Sequence, residues 1–194
     1  MLTITSGTKA NRYVLAGLIA LFLVMTPVKS RSLELGLAPS HVYSLWQNIN
    51  RALLVYSKVV PGSTGKTAEL TAMQPAVFKG KIPSDVYILA TTVSKQLAGH
   101  VTLPSGVPDW LIDYERGDLM ETSREEVITP SAVFILSMQL LNGIVDVVVE
   151  NTDKEQQVSD FFAPNTETDK TPSDVYGLVD LALRRINLLL DLKN

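Results

Sequence analysis

Apolar residues recur along this chain with a helical beat, and four times they follow the same short phrase. The copies are Pro39-Ser40-His41-Val42-Tyr43-Ser44-Leu45, Pro83-Ser84-Asp85-Val86-Tyr87-Ile88-Leu89, Pro130-Ser131-Ala132-Val133-Phe134-Ile135-Leu136 and Pro172-Ser173-Asp174-Val175-Tyr176-Gly177-Leu178. Proline suits the first turn of a helix, where its missing N–H would have no partner. Serine, threonine and aspartate cap the free N–H groups of that turn. The phrase therefore reads as a helix start. Serine is present in every copy, whereas threonine precedes proline only at 129 and 171, so serine is the expected cap.

Counted from the motif valine, positions 0, 3, 7 and 11 are apolar in every copy: Val42, Leu45, Ile49, Leu53; Val86, Leu89, Val93, Leu97; Val133, Leu136, Leu140, Ile144; and Val175, Leu178, Ala182, Ile186. At about 100° per residue they occupy a stripe roughly 80° wide. Position 14 extends it as Tyr56, His100, Val147 and Leu189. The spacing predicts helices over 40–58, 84–97, 131–149 and 173–192. Gly99 suits the C-terminal end of the second. Within the third, Asn142-Gly143 followed by Ile144 to Val149 also resembles a hairpin turn and a strand, but the stripe favours helix.

The motif prolines are 44, 47 and 42 residues apart, a spacing that suggests a tandem unit unable to bury its stripe alone. The expected fold is all-α: a four-helix bundle of four tandem helix units, with long linkers carrying short extra helices. Stacked long-plus-short helix pairs, as in a solenoid, are the alternative. Short helices are expected at Thr67 to Met73, at Pro108 to Tyr114 and at Lys154 to Phe162. Linkers this long leave open whether neighbouring helices run parallel or antiparallel.

The first thirty residues change the picture of where the chain works. Lys9 and Arg12 precede an uninterrupted apolar run from Val14 to Met25, and Val28 and Ser30 flank a suitable cut. Residues 1–30 are read as a signal peptide, with an uncleaved anchor as the alternative, and residues 31–194 as the helical domain. The expected location is periplasmic or secreted, with no membrane span in the mature chain. Without Lys9, Arg12 and Lys29 the basic count falls from 17 to 14 against 20 acids, a net of −6. That charge argues against nucleic acid as a partner.

Candidate chemistry is sparse. The absence of cysteine excludes disulfides, thiol catalysis and cysteine-rich metal sites. His41 and His100 are too few for a closed zinc site, and Met120 and Met138 make a weak case for haem ligation. Asp109, Asp113, Glu115 and Asp118 are the best calcium candidates but lack the EF-hand spacing. Gly65-Lys66-Thr67 resembles a phosphate loop without its required spacing. No metal or cofactor is expected, and no enzyme activity.

The leading expectation is a non-enzymatic interaction or accessory module of the cell envelope with a protein partner. The alternative is a binding or sensing bundle for a small apolar ligand, its pocket lined by Tyr43, Tyr87, Phe134, Tyr176 and Trp46 where the helix starts converge. A third reading is an enzyme using the carboxylates of 109–118.

Overall fold

The computed structural model describes residues 35–59, 64–103, 128–151, 161 and 167–191. The fold is all-α: the described residues are mostly helical and contain no strand, only an isolated bridge between Ala98 and Val101. The helices among the described residues are α1 (Pro39–Val59), α2 (Thr67–Ala72, after a 3-10 turn at Thr64–Lys66), α3 (Pro83–Leu97), α4 (Pro130–Glu150) and α5 (Pro172–Leu189). The export signal at 1–30, the acids of 109–118, Met120 and the helix expected at 108–114 lie outside the described residues. So does the helix expected at 154–162, apart from Phe161, which is buried in a 3-10 turn.

The motif proline opens each long helix, but the residue before it, not the serine after it, takes the cap position. Thr129 Oγ1 accepts from the N–H of Ala132, and Thr171 Oγ1 from that of Asp174, both at 3.4 Å. Ile82 holds the cap position of α3, and there the Asp85 carboxylate accepts from the N–H of Ile82 at 3.1 Å. His41 does the equivalent for α1, its Nδ1 accepting from the N–H of Ala38 at 3.0 Å. The physical reason is register. Proline fixes the first helical position, so the serine is already inside the first turn and its hydroxyl faces partners other than the cap N–H groups.

Asp174 closes a reciprocal cap, accepting from the N–H of Thr171 at 2.8 Å and its hydroxyl at 2.7 Å. These bonds, backbone first, hold its carboxyl below its usual 3.8, with Lys170 adding a smaller pull. Asp174→Ala is expected to lower stability by about 0.5–2 kcal/mol at neutral pH, read from urea unfolding. Because the folded-state value is depressed, this contribution is complete above the unfolded value. It is lost as pH falls through the folded one, so the gap between wild type and variant closes in acid.

The stripes face inward. All sixteen positions are buried except Leu89 and Leu136, which are partly buried. Position 14 fails once, because α3 ends at Leu97 and leaves His100 exposed beyond Gly99, whose φ is +105°. The last helix stops at Leu189, short of the expected 192, and Asp191 turns the chain with φ 52°. Trp46, Ala90, Ser137 and Val179, each one residue past the position-3 apolar, are all buried, so a large ring in α1 coexists with small side chains in α3 and α4.

The long helices surround this core in cyclic order: α1 packs on α4 and α5, and α3 packs on the same two. Pro39, Pro83, Pro130 and Pro172 line one hollow together with Val42, Val86, Val133 and Val175. All four long helices therefore start at the same end and run the same way, which the linker lengths left open. A 21-residue helix is about 31 Å long, so the chain must travel that far back before each new start. Ten extended residues span about 33 Å, and residues 73–82 make such a return.

That return lies along α5, in the opposite direction. Lys66 Nζ donates to the carbonyls of Leu188 at 2.8 Å and Leu189 at 3.3 Å, and pairs with Asp191 at 2.6 Å. Farther up, Arg184 donates to the Gln74 carbonyl at 2.8 Å, Phe78 meets Tyr176 edge-on at 4.8 Å, and the N–H of Lys81 reaches Ser173. A Cβ on Gly177 would stand 2.5 Å from the Ala76 carbonyl oxygen, so glycine permits the close approach. The Lys66 that evoked a phosphate loop thus satisfies the last carbonyls of α5, where the helix dipole favours a cation.

Helix α4 is unbroken through Ile144 to Val149, despite the strand-like composition. Ile144, Val145 and Val148 are buried on one face, and such packing overrides a weak local preference. This helix is long and apolar enough to cross a membrane by length and composition, and half of its most apolar window is buried in the fold.

Candidate functional site

The end of the molecule where the helix starts meet is the place a ligand site was expected. The hollow there is walled by the motif prolines and valines, with no polar side chain, and has room for about one water-sized sphere. None of Tyr43, Tyr87, Phe134, Tyr176 and Trp46 lines it. Tyr87 and Trp46 are buried, and Tyr43, Phe134 and Tyr176 are half-buried. The Trp46 Nε1 donor has no hydrogen-bond partner among the described residues. Position explains the placement of the motif aromatics: they lie about 100° round each helix from the valine that faces the centre.

Two of those aromatics seat a lysine from the chain leading into another helix. The Lys170 ammonium lies 4.8 Å over the Tyr43 ring, and the N–H of Lys170 donates to Ser40 at 3.1 Å. The Lys81 ammonium lies 4.4 Å over the Tyr176 ring, and the N–H of Lys81 donates to Ser173 at 3.0 Å. Both lysines stand two residues before a motif proline. The serine and aromatic of one copy therefore grip the approach to another: α1 holds the lead into α5, and α5 holds the lead into α3. A third link joins the N–H of Leu35 to Ser131 at 2.9 Å, so α4 holds the lead into α1.

The Glu167 carboxylate, 2.7 Å from Lys170, raises that lysine's pKa above the usual 10.5, with smaller contributions from Tyr43 and Asp174. The shared Lys-x-Pro-Ser spelling at 81–84 and 170–173 is the sequence signal of this clasp.

A second polar arrangement sits midway along the helices. Arg185, 6% exposed, donates from Nε to the Leu70 carbonyl at 3.1 Å, and from Nη1 to the Asn50 carbonyl and Oδ1, each at 3.0 Å. The Asn50 amide donates in turn to the carbonyls of Trp46 and Leu178, both at 2.9 Å. One cluster thus ties α1, α2 and α5 together. Burial, and then the neighbouring Arg184, push the Arg185 pKa down. The Tyr56 phenol is pushed up by burial.

His41 caps the start of α1 and His100 lies past the end of α3. With the helices parallel, the two histidines are at opposite ends. No group of three or more His, Asp or Glu side chains that could hold a metal occurs among the described residues. Met138 is partly buried against the core. Comparison with protein-family models, curated proteins and solved structures finds no match.

Proposed function

We propose that the chain is an exported four-helix bundle of four tandem helix units, serving as a non-enzymatic interaction or accessory module of the cell envelope. The observation that carries this reading is the use of the motif itself. Three of its serines and two of its tyrosines are engaged in holding one helix lead to the next, and its prolines and valines close the mouth. A repeated phrase spent on assembly supports a scaffold rather than a reaction centre. The acidic mature chain, net −6 after loss of 1–30, fits a protein partner better than nucleic acid. In this reading α4 is the apolar core helix of a folded domain, not a span.

The alternative, a bundle binding a small apolar ligand at its mouth, requires converging helix starts, which are present. It also requires space that the hollow does not offer.

N-terminal sequencing of the full-length product after expression and fractionation is expected to find a mature chain beginning at Arg31 outside the cytoplasm. Cross-linking in envelope extracts is expected to recover a defined protein partner. An uncleaved cytoplasmic chain with no specific cross-link sinks the proposal.

A further inference from the structure

Helix α2 is six residues long, and Leu70 is its one buried residue. That side chain is fully buried in the common core, while Ala68, Glu69, Thr71 and Ala72 are exposed. The helix packs on α1 and hands its Leu70 carbonyl to Arg185 Nε at 3.1 Å. Arg185 is a buried cation with no carboxylate in contact among the described residues; carbonyl and amide oxygens are its only acceptors there, and Nη2 makes no hydrogen bond to them.

An unneutralised buried charge is costly, and a guanidinium edge offering Nε and Nη2 matches a carboxylate in two-point contact. We propose that the Leu70 seat is a plugged binding site for a branched aliphatic carboxylate. The ligand's isobutyl group takes the place of the Leu70 side chain, and its carboxylate takes the place of the Leu70 carbonyl on Arg185.

The plug suits such an exchange. A six-residue helix has little stability of its own, and one that buries a single side chain opens more cheaply than the whole fold, while Lys66 before it stays on the end of α5. Residues 73–82 hold the chain to α5 independently, through Gln74, Phe78 and Lys81. The ligand also brings the negative charge that Leu70 cannot. The site does not depend on the envelope-module reading, because it uses none of the motif residues at the mouth.

Two sources carry this chemistry: a free short branched acid, and the C-terminal leucine of a peptide. Arginine side-chain NMR on the full-length protein separates them, using isocaproate, its neutral amide, and an acetylated tripeptide ending in leucine with a free carboxylate. The expected result is a shift of the Arg185 Nε signal with isocaproate or the peptide and none with the amide; the tighter of the two carboxylates identifies the source. Leu70→Ala empties the side-chain seat while leaving the backbone carbonyl on Arg185, and is expected to bind isocaproate about tenfold more tightly, and Arg185→Gln to lose it. No Arg185 shift up to about 100 mM of either carboxylate, against matched chloride, overturns the proposal. An equal shift with the amide does so too. The wild-type titration decides the matter even where a variant fails to fold.

Discussion

Arg185→Met is expected to destabilise the fold by about 2–4 kcal/mol, because it strands the buried Leu70 carbonyl and the Asn50 side-chain oxygen, each costing about 1–3 kcal/mol when left without a donor, and removes a second bond from the Asn50 carbonyl. The sum is reduced because the variant no longer carries a desolvated cation. For a chain of this size the loss corresponds to a fall in Tm of roughly 5–15 °C. The adjacent Arg184 is the control. Its bonds to Asp180 and Gln74 are nearer the surface, and Arg184→Met is expected to cost about 1 kcal/mol or less. Equal losses in the two variants, by thermal or urea unfolding, refute the role assigned to the cluster. Asn50→Leu is expected to be strongly non-additive with Arg185→Met, since residues in one hydrogen-bond network couple.

Gly177→Ala is the second large effect. The new methyl would meet the Ala76 backbone oxygen at 2.5 Å, a distance no side-chain rotation relieves. Either α5 shifts or the return chain lifts away, at a cost of about 1–3 kcal/mol typical of overpacking. An exposed mid-helix glycine changed to alanine would instead gain about 0.5–1 kcal/mol, so the sign of the change is diagnostic. Lifting the chain also releases Phe78 from Tyr176 and Gln74 from Arg184. Amide exchange over 73–82 is therefore expected to accelerate while that of α3 and α4 holds. A stabilised variant with unchanged exchange disproves the close packing.

What could be read in advance was local. Each helix start is written in neighbouring residues, and each stripe is a periodicity within one segment, so the helices are legible, as are sixteen stripe positions of which fourteen are buried. What depended on distant partners was not. Whether a serine caps its own helix or binds another segment turns on a register of one residue and on what approaches it. Arg185 stands about 20° outside the stripe edge formed by Leu178, where an arginine beside another arginine looks like a solvated face. Only α2 with Leu70 and α1 with Asn50, both far away in sequence, make it interior. Helix direction was hidden for a related reason, because long linkers permit either sense.

The parallel arrangement also sets an order of events. Lys66 is 122 residues from the Leu188 carbonyl it binds, and Leu70 is 115 from Arg185. Helical proteins usually fold fast because their contacts are close in sequence; here the seat for residues 64–82 is made by α5, which follows Lys66 and Leu70 by more than a hundred residues. A nascent chain therefore cannot seat residues 64–82 until α5 has emerged, and until then Leu70 has no Arg185 to hold its carbonyl.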